Sequence, residues 1–194
     1  MPPNDTPFDY ALTLQCHAAT PAPVVRTIDA HAFIRLDGGI TLAYRLWGDM
    51  ARLLIPEASP TERTDSLWEH TCFEAFIGVA DDTAYREFNF SPSGQWAAYA
   101  FSAYRRPDDS TPPINAPQIS TRRFASRLEI EAILPAEALP TGATLQIALS
   151  AVVEAADTVD GSHSYWALHH PAERPDFHRR DAFILELAVP HNVA

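Results

Sequence analysis

The sequence predicts an all-β protein, a two-sheet antiparallel β-sandwich of jelly-roll type with about nine or ten strands. Three observations carry this. Apolar side chains recur with period two in run after run, which is the spacing of a strand with one buried face. Helical periodicity is nearly absent; only Pro135-Ala136-Glu137-Ala138-Leu139 could make a helical turn, with proline at its first position. The runs are punctuated by turn-forming clusters such as Pro21-Ala22-Pro23, Asp37-Gly38-Gly39 and Ser91-Pro92-Ser93-Gly94. With 194 residues and 46% apolar content, one domain with a real core is expected, over residues 7–190, behind a disordered tail at 1–6.

The elements follow in order. Tyr10 to His17 alternates as a first strand. Arg26 to Leu36 places Ile28, Ala30, Ala32, Ile34 and Leu36 on one face. The run from Ile40 adds Leu42, Tyr44 and Leu46, and a three-residue turn brings the two apolar sets together. Arg45 and Trp47 point the other way. Arg52 to Ile55 is a further short strand, and Pro56 to Ser66 is a polar loop leading to Trp68.

Trp68 to Tyr104 then reads as three consecutive antiparallel strands. A turn at Ala80-Asp81-Asp82-Thr83 pairs Ile77 with Arg86, Ala75 with Phe88 and Phe73 with Phe90, so the apolar sets meet on one side. The same register sets Glu74 opposite Asn89 and Phe76 opposite Glu87 on the other side. A four-residue turn at Ser91-Pro92-Ser93-Gly94 pairs Asn89 with Trp96 and Phe88 with Ala97. One face of this sheet is therefore expected to carry Glu74, Phe76, Glu87, Asn89 and Trp96, with Trp68 at its edge. Carboxylate, amide and indole side by side form a surface suited to a small polyhydroxylated ligand: rings stack on apolar sugar faces and polar groups bond hydroxyls.

Arg105 to Ser120, rich in Pro, Asp and Ser, is expected to be irregular. Leu128 to Leu134 and Leu145 to Val153 alternate as strands. Asp160-Gly161 turns into Ser164 to Leu168, and a His- and Pro-rich loop, His169 to Arg180, precedes a last strand over Ala182 to Val189, with Phe183, Leu185, Leu187 and Val189 inward. In that loop Asp176 and His178 are expected to tie down backbone groups around a buried Phe177.

Composition excludes several functions. A formal charge of −11 and a pI near 5.0 argue against nucleic acid and anionic membrane surfaces. No apolar run approaches the ~20 residues that cross a bilayer. The first residues have neither a basic stretch nor an apolar one of the kind a signal peptide needs, so the cytoplasm is the expected location. Cys16 and Cys72 form no metal motif or disulfide framework and are expected to be reduced thiols. His169, His170 and His178, with Glu173 and Asp176, match no metal-ligand spacing. Cys72 and His70 lack the third residue of a nucleophilic site. Two alternatives to simple binding stay open. One is a carbohydrate-active enzyme using Glu74 and Glu87; the other is a protein-interaction patch, or a contact within a homo-oligomer.

The same residues carry a family resemblance. Trp68, the strand Cys72-Phe73-Glu74-Ala75-Phe76-Ile77 and the pattern Tyr85-x-Glu87-Phe88-x-Phe90-Ser91-Pro92-x-Gly94 resemble bacterial DOMON-like proteins, in particular the branch that includes family 9 carbohydrate-binding modules. Arg174-Pro175-Asp176-Phe177-His178 ahead of the last strand is similar to that branch too. The resemblance implies a sandwich that clamps a sugar between aromatic rings. Trp68 would be one ring, Trp166 a candidate for the other, and Glu74 a hydroxyl-binding carboxylate. It implies no obligatory cofactor. Calcium enters only because some carbohydrate modules carry it structurally, and haem, used by other DOMON branches, is not favoured when Met50 is the only methionine after the first.

Overall fold

The computed structural model describes residues 12–156 and 162–189. The tail expected at 1–6, the start of the first strand at Tyr10 and the Asp160-Gly161 turn lie outside the described residues. Twelve strands are found among them: β1 (Leu12–Cys16), β2 (Val25–Ile34), β3 (Ile40–Gly48), β4 (Cys72–Val79), β5 (Tyr85–Phe90), β6 (Trp96–Ala103), β7 (Arg106–Pro107), β8 (Gln118–Arg123), β9 (Arg127–Leu134), β10 (Thr144–Ala155), β11 (Ser162–Ala167) and β12 (Leu185–Ala188). All pairings between strands are antiparallel, and among the described residues helix is limited to four 3-10 turns. The expected class holds, with more strands than expected.

The extra strands come from the segment read as irregular. β8 is Gln-Ile-Ser-Thr-Arg-Arg at a sheet edge, largely exposed, so it carries no apolar alternation to betray it. The strand expected over Arg52 to Ile55 does not form. Asp49 caps a 3-10 turn at Met50–Arg52 by accepting the Ala51 N–H, and only Leu53 then bridges to Ala155.

One sheet has the order β1-β2-β3-β9-β8 and the other β7-β6-β5-β4-β10-β11, with β12 also on β10. β1 joins them. Its first half pairs with β2 (Leu14 with Ile28) and its second half with β11 (Cys16 with Trp166), so one strand turns the corner between the layers. Between the sheets lies the main core. Ile28, Leu42, Tyr44 and Leu46 from one side meet Phe73, Ile77, Phe88 and Leu149 from the other. Fully burying side chains of this size is worth roughly 1.5–3 kcal/mol each, which sets the strand registers. The β4–β5 register is the one the sequence implies: Phe73 opposite Phe90, Glu74 opposite Asn89, Phe76 opposite Glu87.

The β5–β6 register is not. Phe90 pairs with Trp96, Asn89 with Ala97, and Glu87 with Tyr99. The loop is Pro92-Ser93-Gly94, three residues rather than four: the Ser91 N–H donates to the Gln95 carbonyl, and Gly94 takes the left-handed conformation at φ 96° that such a loop needs. A one-residue slip moves a whole strand's side chains to the opposite face. Trp96 therefore shares the inner side with Phe88 and Phe90, while Tyr99 and Phe101 occupy the outer face.

That outer face is not open along its length. The chain between β11 and β12 folds over it, and Phe177, Ala182 and Phe183 pack on Phe76, Tyr85, Phe101 and Ala148. Phe183, expected in the sandwich core, belongs to this second cluster. At the other end Leu67, in the 3-10 turn Leu67–Glu69, covers Cys72 and Ala97. A cleft remains between the two covers.

Candidate ligand-binding site

The cleft encloses about 360 Å³. Its floor is the outer face of β4, β5 and β10, presenting Glu74, Phe76, Glu87 and Val152. One wall holds Trp68 and Tyr99, whose rings meet edge-on at 5.8 Å. The facing wall is the β11–β12 connection with Pro175, Asp176, Phe177 and His178, and Tyr165, Phe101 and Arg105 close the sides.

Glu74 is only 3% exposed, and its Oε1 is buried with no hydrogen-bond partner. Its backbone is fixed from behind: Tyr44, reaching across the sandwich core, donates its O–H to the Glu74 carbonyl at 2.7 Å. Glu87 is 6% exposed, and its Oε1 accepts a hydrogen bond from Asn89 Nδ2 at 2.8 Å. Burial pushes the Glu74 carboxyl well above the usual carboxylate range, and the neighbouring Glu87 pushes it further. Burial likewise raises Glu87 to about 7, against the bond from Asn89 and the charge of Arg105, which both favour its ionised form.

His178 stands over this pair. Its Nε2 lies 3.6 Å from Glu87 Oε2, and its Nδ1 is 2.9 Å from the Tyr85 hydroxyl. The Arg105 backbone N–H donates to that hydroxyl at 3.1 Å, and the ring nitrogen that faces Glu87 is Nε2. Burial and the Arg105 charge lower His178 to about 4, so it is neutral near physiological pH. Asp176 locks the wall in place. It binds the Arg105 guanidinium at 3.0 Å, accepts the Tyr104 O–H at 2.6 Å and accepts the His178 backbone N–H at 3.2 Å. Burial pushes Asp176 up, but those partners prevail and hold it below its usual range.

Of the residues the sequence singles out, Trp68, Glu74, Phe76 and Glu87 line this cleft. Asn89 is fully buried behind it and serves as Glu87's hydrogen-bond donor. Trp96 and Trp166 do not reach it. Trp96 faces inward by the register shift above. Trp166 sits opposite Ala151 in the main core, its Nε1 donating to Ser164 Oγ at 3.0 Å, and it is the adjacent Tyr165 that faces the cleft. Tyr99, Phe101 and Arg105 were missed. Counting back from Gly94 as the left-handed residue of a three-residue loop would have found the first two. Asp176 ties down a backbone group, the His178 N–H, as expected; the His178 ring instead meets the Tyr85 hydroxyl, Phe177 is half-buried against the second cluster rather than in the sandwich core, and all three form a wall. Trp47, expected to point away from the core, lies under the Arg127 guanidinium at 5.2 Å. Burial keeps the Cys72 thiol well above its usual value, which leaves it inert. Among the described residues, no group of three His, Cys, Asp or Glu side chains could hold a metal ion.

No protein-family model and no curated protein matches this chain. Solved structures do. A "putative carbohydrate-binding protein" from Bacteroides uniformis ATCC 8492 matches at TM-score 0.55 with 17% identity, over 84% of this chain and 78% of that one. A family 9 carbohydrate-binding module from Caldicellulosiruptor kristjanssonii in complex with cellotriose matches at 0.54 with 10% identity, over 93% and 86%. A module of the same family and organism in complex with glucose matches at 0.52 with 9% identity, over 90% and 83%. At these identities the likeness is one of fold, and this chain has the β-sandwich architecture seen in family 9 carbohydrate-binding modules.

Proposed function

We propose that this protein binds a saccharide in the cleft between Trp68 and His178, without chemistry on it. One observation carries the reading: Glu74, buried and fixed from behind, keeps an unpartnered carboxyl oxygen at the floor of an aromatic-walled cleft. An unmet buried polar group costs roughly 1–3 kcal/mol, and a ligand hydroxyl, which can both donate and accept, recovers that free energy by bonding it. Trp68, 41% exposed at the rim, supplies an indole for the apolar face of a sugar ring, with Tyr99 beside it. The fold shared with glucose- and cellotriose-bound modules is consistent with this class of ligand.

A glycosidase needs its two carboxyl groups on opposite sides of the scissile bond. Here Glu74 and Glu87 are diagonal neighbours on adjacent strands of one floor, on the same side of anything that lies in the cleft. That arrangement favours holding a ligand over cleaving it. Titration calorimetry against a panel of mono- and oligosaccharides tests the proposal. A saturable heat is expected, weakened about tenfold or more by Glu74→Gln and by Trp68→Ala. A panel that gives neither heat nor a shift in melting temperature overturns it. Release of smaller sugars, abolished by Glu87→Gln, would replace it with the hydrolytic reading.

A further inference from the structure

The cleft combines three features that a neutral sugar does not need together. It has two carboxyl groups on its floor, one with an unpartnered buried oxygen. Six aromatic side chains surround them: Trp68, Phe76, Tyr99, Phe101, Tyr165 and Phe177. And among the described residues no unpaired cation lines the cleft. The basic residues lining the cleft are Arg105, already bonded to Asp176, and His178, whose Nε2 is 3.6 Å from Glu87 but whose ring is neutral. Paired acids in a cleft lined by aromatic side chains combine negative charge with polarisable rings, which is an environment that recognises an ammonium group.

Resting on the saccharide reading, we infer that the ligand is an amino sugar, its ammonium group seated between Glu74 and Glu87 and its ring against Trp68 and Tyr99. The charge balances simply. Glu87, raised to about 7, is partly protonated at neutral pH, and an incoming ammonium stabilises its carboxylate, so protons leave to the buffer as the cation binds. The groups facing Glu87 are Asn89 on its own strand, Glu74 on β4, Tyr99 on β6, Tyr85 and His178 joined above it, and Arg105 held by Asp176. Those facing Glu74 are Glu87 and the un-ionised Cys72. No other group in this set offers the cleft an unpaired cation.

Calorimetry with glucosamine, galactosamine and mannosamine, each against its neutral parent and with N-acetylglucosamine, tests the inference. At about pH 7, where such amines remain mostly charged, an amino sugar is expected to bind roughly tenfold to thirtyfold tighter than its parent. Paired buffers of different ionisation enthalpy should report proton release, and the preference should fall about tenfold by about pH 5.5, as Glu87 becomes fully protonated. Glu87→Gln should erase the preference and the proton release together. Neutral sugars binding as tightly as amino sugars would overturn this inference and leave the saccharide reading intact. N-acetylglucosamine binding tighter than glucosamine would do the same. If no sugar of either kind binds, both fall.

Discussion

The two sheets each bury a glutamate on their outer face, and they treat it in opposite ways. On the β3–β9–β8 sheet, the Glu129 side chain is 6% exposed and meets Arg45 and Arg127 at 2.9 Å and Arg122 at 3.1 Å. Burial pushes its carboxyl up, but the bond from Arg127 and the charges of Arg45 and Arg122 win and hold it below the usual range. On the β4–β5 sheet, Glu74 and Glu87 are buried to a similar degree with no charged partner, and both are raised. Solvent exposure is alike, but Glu129 lies shallow under partly exposed arginines, whereas Glu74 and Glu87 lie deeper with no cation bonded to them. The first carboxylate completes its own environment and is part of the scaffold. The second pair is left incomplete by the fold, and an incomplete buried acid in a cleft is the mark of a site rather than of a strut.

The largest effect that could break this contrast is on stability. Glu129→Gln leaves three arginines crowded around a neutral amide. It should destabilise by about 2–3 kcal/mol, less than a fully buried pair would because the arginines are partly exposed to solvent. Glu74→Met removes an unpartnered acid from an apolar surround and should be neutral or stabilising by up to about 1 kcal/mol, while sugar binding is lost. Urea denaturation of both variants checks the pair of signs. Equal losses would mean that Glu74 also has a structural role.

The pH dependence of folding is the next largest. For Glu129 the folded-state carboxyl is more acidic than in the unfolded chain, so its contribution is present above the unfolded value of about 4.5 and is lost as pH falls through the folded one. For Glu87 the sign reverses. Its folded value is about 7, so between about pH 4.5 and that value the folded state holds the extra proton, and stability declines as pH rises through the window. Relative to Glu87→Gln, the wild type should therefore lose of order 2 kcal/mol between about pH 5 and pH 8, superimposed in both proteins on the opposite slope from His178, which is lowered to about 4, and on the contribution of the raised Glu74. Denaturant midpoints across this range measure it. An unchanged slope in the variant would mean that Glu87 is ionised in the folded protein.

The inner side of the sheets was legible because it obeys one strong rule. Period-two burial of Phe73, Ala75, Ile77, Phe88 and Phe90 fixed the β4–β5 register, and with it Glu74, Phe76 and Glu87 on the far face. What stayed hidden lacks such a rule. Strand β8 is an exposed edge with no alternation to read. Which residues fold back over the outer face depends on the β11–β12 connection, whose Asp176, Phe177 and His178 are joined to Tyr104, Arg105 and Phe76 from about seventy to a hundred residues away, contacts that no local pattern encodes. Loop length at Gly94 lies between these cases. It was readable in kind but differs by one residue, and that residue decides whether Trp96 or Tyr99 shares the outer face with Glu87.

The two tryptophans near that loop give the smallest but sharpest test. Trp96 has a buried indole N–H with no partner, and its backbone ties β6 to the preceding loop: its N–H donates to the Glu62 carbonyl and its carbonyl accepts from Thr64. Replacing the ring by phenylalanine keeps those backbone bonds, removes the unmet donor and leaves a small void, so Trp96→Phe should change stability by about 1 kcal/mol or less. Binding should be untouched, because the ring lies on the Phe90 side of the sheet. Trp68→Ala should show the converse, near-wild-type stability with binding lost, since its indole is 41% exposed at the rim and meets Tyr99's ring edge-on. Calorimetry and urea melts on the two variants separate the roles. Weakened binding in Trp96→Phe with Trp68→Ala unaffected would return the ligand face to the four-residue turn and exchange the two sides of β6.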